Sequence, residues 1–184
     1  MNKFYQELQK YDWDNILNQI YSRTENDVKQ ALAKERLTIH DFQALISPAA
    51  EPYLELMAQK SMQITQKRFG KTIQMYIPLY ISNACTNSCV YCGFNRNNKF
   101  DRTILALNEI MEEAAIIKNM GFKHILLVTG EDEKHCGASY IKEIIEELNQ
   151  DFSHISIEVQ PLASSEYKKM KEYGLNTVYI YQET

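Results

Sequence analysis

From about residue 73 onward the chain alternates between two hydrophobic periods, and that alternation limits the folds open to it. Gln74-Met75-Tyr76-Ile77-Pro78-Leu79-Tyr80-Ile81 is rich in β-formers, with Pro78 marking a strand end or an irregular strand. After a polar stretch, Asn95 to Thr103, the residues Leu107, Ile110, Met111, Ala114, Ile117 and Met120 recur at helical spacing and stop at Gly121. His124-Ile125-Leu126-Leu127-Val128 reads as a short buried strand, and Tyr140 to Leu148 as a helix with Ile141, Ile144, Ile145 and Leu148 on one face. Ile155 to Val159 alternates like a third strand. Ser164 or Ser165 caps a further helix that Gly174 ends, and Thr177 to Tyr181 makes a fourth strand. Strands separated by helices imply right-handed crossovers and a parallel sheet. Periodicity does not choose between an open doubly wound sheet and a β/α barrel. A complete eightfold barrel takes about 250 residues. The strand-helix part here has about 110, so a barrel would be half of one.

Residues 1–72 read as a helical region preceding residues 73–184. Thr24 with Asp27, and Thr38 with Asp41, carry the spacing of a capping box. Ser47-Pro48 combines a cap residue with proline at a first helical position, ahead of a helix bearing Leu54, Met57, Ala58 and Ile64 that should stop at Gly70. These helices read as a packing layer without chemistry of their own. The net charge of −4 argues against a nucleic-acid partner, which usually meets a basic face. No apolar run approaches the roughly 18 residues of a membrane span. The first residues lack the apolar core of a secretion signal, so a cytoplasmic protein is expected.

Three of the four cysteines, Cys85, Cys89 and Cys92, fall in the segment Ala84-Cys85-Thr86-Asn87-Ser88-Cys89-Val90-Tyr91-Cys92-Gly93-Phe94, directly after the first expected strand. Clustered thiols in a cytoplasmic chain suggest a metal site rather than disulfides. A [4Fe–4S] cluster normally takes four thiolates. Three thiolates on one loop can hold three irons and leave the fourth open to a small molecule. One alternative is a zinc site, which needs a fourth ligand such as Cys136, His124 or His135, and another is three unligated thiols, unusual at this density. Zinc ribbons usually pair two short Cys-x2–4-Cys elements, and only one such group is present. Two more strand ends carry polar residues. Thr129-Gly130-Glu131 follows the second strand. Glu158 and Gln160 alternate with Val159, where they would either face a ligand in a cavity or lie in a solvated loop.

The cysteine spacing, with Tyr91 before the last cysteine, resembles the signature of the radical S-adenosylmethionine (SAM) superfamily. That resemblance implies a β/α barrel holding a [4Fe–4S] cluster on Cys85, Cys89 and Cys92, whose free iron chelates SAM. It further implies one-electron cleavage of SAM to methionine and a 5′-deoxyadenosyl radical that abstracts hydrogen from a substrate. It places Tyr91 beside the adenine and gives Gly130 and Glu131 the SAM amino group, although Thr129 stands where the superfamily carries a first glycine. Glu158, Gln160, Gln182 and Glu183 become candidates for further SAM contacts. Asp12-Trp13-Asp14, Leu45 to Ala50, Tyr76 to Tyr80, Leu127 to Glu131, Glu158 to Leu162 and Val178 to Thr184 resemble one branch, the tyrosine lyases of thiazole biosynthesis. The implied reaction fragments L-tyrosine at Cα–Cβ into 2-iminoacetate and p-cresol. A flavodoxin or ferredoxin serves as electron donor, and thiazole synthase receives the product. The tyrosine lyase of [FeFe]-hydrogenase maturation and a non-catalytic metal-binding fragment are the alternatives. The family is about twice as long, so this chain is expected to hold the first half of the barrel, to bind a cluster, and to turn over tyrosine poorly or not at all.

Overall fold

The computed structural model describes residues 3–181. The chain forms two compact units, Met1–Thr72 and Ile73–Thr184.

The first unit contains helices α1 (Lys3–Leu8), α2 (Trp13–Tyr21), α3 (Glu25–Ala33), α4 (Ile39–Leu45) and α5 (Leu54–Phe69). Asp12 caps α2 by accepting from the backbone N–H groups of Asp14 and Asn15. Both capping boxes form, Thr24 with Asp27 on α3 and Thr38 with Asp41 on α4. The Asp41 carboxylate turns inward and meets Lys34 Nζ at 2.6 Å, while Phe42 and Ile46 stay exposed. Ser47-Pro48 does not open an α-helix: Pro48–Tyr53 is a 3-10 helix, and Ser47 donates its hydroxyl back to the Ala44 carbonyl. Pro52 explains the difference. It has no N–H to give, and its ring would crowd the carbonyl of Pro48 in an α-turn. A small core of Val28, Ala44 and Ala50 holds the unit, with Leu32, Tyr53 and Met57 against it.

The second unit runs β1 (Ile77–Tyr80), α6 (Leu107–Asn119), β2 (His124–Val128), α7 (Glu133–Cys136), α8 (Ala138–Leu148), β3 (His154–Glu158), α9 (Ser164–Glu172) and β4 (Leu175–Tyr179). The strands form one parallel sheet in the order β1-β2-β3-β4. This sequential order is the start of a β/α barrel, not of a sheet that reverses at a switch point. Alternation sorts the side chains. Leu79, Ile125, Leu127, Ile155 and Ile157 join Ile110, Ile144, Ile145, Leu148 and Met170 from the helices in the main core. Burying each such side chain contributes about 1.5–3 kcal/mol. Tyr80, Val128 and Glu158, register partners at the strand ends, line a cleft on the other side of the sheet.

Local departures have local causes. The first strand is shorter than its β-rich sequence, since pairing starts only at Ile77. Ser164 is the first residue of α9 rather than its cap. The capping position falls to Ala163, which makes no side-chain bond. Gly174, at φ 110°, turns the chain out of α9 so early that β4 begins at Leu175. The register slips once, between Ile155 and Ser156. There the Asn176 side chain accepts the Ile155 N–H at 2.8 Å and replaces the missing ladder bond.

Candidate functional site

The loop between β1 and α6 carries the cysteines, and its neck is a short ladder. Ser82 and Ile104 form an antiparallel bridge, and Leu105 donates to the Ile81 carbonyl at 3.0 Å. Tyr140 adds its hydroxyl, which donates to the Leu105 carbonyl at 2.8 Å, and burial pushes this phenol up to about 12. Inside the loop, Cys92 N–H donates to the Cys89 carbonyl, so the Cys-x2-Cys part is one closed turn. Asn95 donates to the same carbonyl at 2.8 Å.

The turn after β2 is fastened to this loop. Thr86 donates both its N–H (2.8 Å) and its hydroxyl (3.0 Å) to the Glu131 carbonyl. Asn87 donates its side-chain amide to the Glu131 carboxylate at 2.7 Å. Gly130 lies directly under the loop: a β-carbon there would stand 2.2 Å from the Ala84 carbonyl oxygen and 2.8 Å from Cys85 Cβ. Its φ is ordinary, so the glycine is required by this close approach and not by backbone conformation.

Together these elements surround a cleft of about 370 Å³ lined by Cys85, Cys89, Cys92, Gly130, Glu131 and Glu158, among others. The size is that of a small-molecule site. All three thiols are half-buried and free. Thr129 also lines the cleft, with a buried hydroxyl that has no hydrogen-bond partner. At the rim, the Glu158 carboxylate beside Tyr181 holds that phenol above its usual range.

The remaining sequence candidates lie elsewhere. Tyr91 is 64% exposed and outside the cleft lining. Gln160 is buried and donates its amide to the Cys136 carbonyl at 2.9 Å, so it parts from Glu158. The strand ends at Glu158, and strict alternation ends with it. Gln182 and Glu183 fall outside the described residues. The possible fourth zinc ligands do not join the three thiols. His124 begins β2, at the end opposite the loop. His135 pairs with Asp132 at 2.8 Å. Cys136 is fully buried, and that burial pushes its thiol up. Among the described residues, no three His, Cys, Asp or Glu side chains converge on a single ion. A cubane cluster asks for a different arrangement, one thiolate at each of several separate iron corners. The donor set fits that group: soft thiolates on one short loop, with carboxylates and an unpartnered hydroxyl facing the same cleft.

Sequence reasoning passed over Asn87, Arg102 and Thr129 as contributors. Asn and Arg in a polar stretch give no periodic signal, and their partners are backbone carbonyls or residues far along the chain.

The family model for the radical SAM superfamily matches residues 79–184. The chain belongs to the radical SAM superfamily. Radical SAM enzymes use a [4Fe–4S] cluster and SAM, which accounts for a thiol trio beside a small-molecule cleft at the strand ends. Within the superfamily, the chain is 45% identical to 2-iminoacetate synthase of Escherichia coli strain K12 over all 184 residues. It is 40% identical to the enzyme of the same name from Salmonella typhimurium, again over its whole length. It spans about half the length of these curated relatives, 49% of each. Among solved structures it resembles HydG, a maturase of the [FeFe]-hydrogenase, with a TM-score of 0.80 at 25% identity, covering 91% of this chain and 40% of that one.

Proposed function

We propose that this chain supplies the cluster-binding and SAM-binding part of a tyrosine Cα–Cβ lyase that makes 2-iminoacetate and p-cresol for thiazole and thiamine biosynthesis. The observation that carries the reading is the shared cleft of Cys85, Cys89 and Cys92 with Gly130, Glu131 and Glu158. The choice of substrate rests on 45% identity to a 2-iminoacetate synthase, against 25% and 29% to two hydrogenase maturases of similar fold.

In this reading Cys85, Cys89 and Cys92 would hold the cluster, which would supply the electron for reductive cleavage of SAM bound in the same cleft. Every other part belongs to the protein. The Glu131 carboxylate accepts from Asn87 and has lone pairs left for an ammonium group. The Thr129 hydroxyl, buried without a partner, offers a further polar contact at the same turn. Glu158 at the next strand end presents a second carboxylate to hydroxyl groups of the ligand. Tyr80 and Phe94, edge to face at 6.0 Å, form an aromatic part of the cleft wall beside the cysteines. L-Tyrosine, a flavodoxin or ferredoxin as reductant, thiazole synthase as recipient and a cytoplasmic location complete the proposal. No helix among the described residues is long and apolar enough to cross a membrane.

A chimera tests the substrate assignment. This chain replaces the matching half of the Escherichia coli relative, and the anaerobically reconstituted product is given SAM, tyrosine and a reductant. p-Cresol is the expected product. A chimera that cleaves SAM but releases no p-cresol would refute tyrosine as the substrate.

A further inference from the structure

The polar stretch behind the cysteine loop carries an arginine that the proposed function leaves unused. Arg102 Nη1 donates to the carbonyls of Asn83 and Phe94, both at 2.8 Å. Its Nη2 donates to the Asn95 carbonyl at 2.7 Å and to Asn98 at 3.4 Å. The guanidinium lies 3.9 Å over the ring of Phe100. Asn83 stands two residues before Cys85, and Phe94 two residues after Cys92, so one planar group joins both ends of the cysteine segment.

This arrangement suits arginine alone. Its fork offers five fixed N–H donors and stacks on an aromatic face, whereas lysine presents one compact ammonium. The carbonyls it gathers belong to an irregular loop, where no strand or helix supplies partners. Two neighbours work in the same direction. Asn83 accepts the Thr103 N–H at 2.7 Å, and Asn98 donates to the Gly93 carbonyl at 3.0 Å. None of these bonds uses a cysteine sulfur, so the loop is braced by the protein itself.

Resting on the cluster reading above, we infer that Arg102 is a positioning residue. It clasps the loop so that Cys85, Cys89 and Cys92 hold their spacing before any cluster is assembled. A preset site binds its metal with less ordering to do on arrival. Loss of a residue that orients metal ligands typically weakens metal binding by about 10–100-fold.

The test compares the full chain with Arg102→Lys, which keeps the charge and loses the fork. Amide hydrogen exchange is followed first on the metal-free protein under anoxic conditions, and loss of iron to a chelator is followed after reconstitution. The clasp predicts that Arg102→Lys exchanges roughly tenfold faster in residues 83–98 while β2 and β3 keep their protection. It also predicts that the variant surrenders iron about 10–100-fold faster. Parent-like exchange and iron retention in Arg102→Lys would overturn the inference. So would faster exchange across the whole sheet, which would make Arg102 a general stabiliser. If neither protein takes up iron while the exchange difference persists, the cluster reading falls and the clasp itself stands.

Discussion

Asn87 reaches from the cysteine loop to the turn after β2 and donates its side-chain amide to the Glu131 carboxylate at 2.7 Å. The bond couples the two halves of the proposed site: one carries the thiols, the other the acceptor for SAM. A hydrogen bond to a charged group contributes about 1.5–3 kcal/mol. Asn87→Ala is therefore expected to keep its iron and to lose about tenfold or more in SAM affinity, measured by titrating SAM into reconstituted protein. Loss of iron with unchanged SAM affinity would reverse the assignment.

Gly130→Ala tests the contact beneath the loop. The added methyl would meet the Ala84 carbonyl oxygen at 2.2 Å, and a backbone atom cannot swing aside as a flexible side chain can. Overpacking of this kind costs about 1–3 kcal/mol. The variant should unfold at lower denaturant and hold less iron, because Cys85 is displaced with its neighbour.

The strand-helix order was legible in the sequence because Leu127, Ile145 and Ile157 obey simple periods and meet in one core. The cysteine loop was legible for another reason: its signal lies in residue type and spacing, which the sequence displays directly. What stayed hidden depends on long-range geometry. Gln160 parts from Glu158 because the strand stops between them. Pro52 converts an expected helix start at Ser47-Pro48 into a 3-10 turn. Arg102 looks like any solvated arginine until the loop folds round it. The exposure of Tyr91 reflects the path of an irregular loop, which no period encodes.

Leu127 is fully buried in β2, between the sheet and its helices. Leu127→Ala should cost about 2–5 kcal/mol of unfolding free energy, the lost transfer term plus a cavity. Urea titration of the metal-free chain checks this, and a loss below about 1 kcal/mol would show that the core repacks.

His154 provides a pH signature at the far end of the same strands. Its ring lies 5.3 Å from that of His124, and its Nε2 meets Thr177 Oγ1 at 3.0 Å. Burial lowers the pKa of His154, with the neighbouring His124 acting in the same direction. The unfolded chain therefore binds a proton more readily than the folded one. The stabilisation from neutral His154 is fully present above the unfolded value, about 6.5. It is lost as pH falls from there through the lower folded value. Denaturation curves from pH 7.5 to 5.5 should show falling stability, and His154→Gln should flatten that dependence. An unchanged slope in the variant would assign it to other groups.

The claim on which the rest depends is that three thiolates hold an iron cube and leave one iron for SAM. Low-temperature electron paramagnetic resonance of the reduced, anaerobically reconstituted chain, read beside its iron content, tests this most directly. The account predicts about four irons per chain, a reduced-cluster signal that shifts when SAM is added, and loss of both when Cys85, Cys89 and Cys92 are replaced by alanine. One zinc per chain, or an iron signal indifferent to SAM, would contradict it.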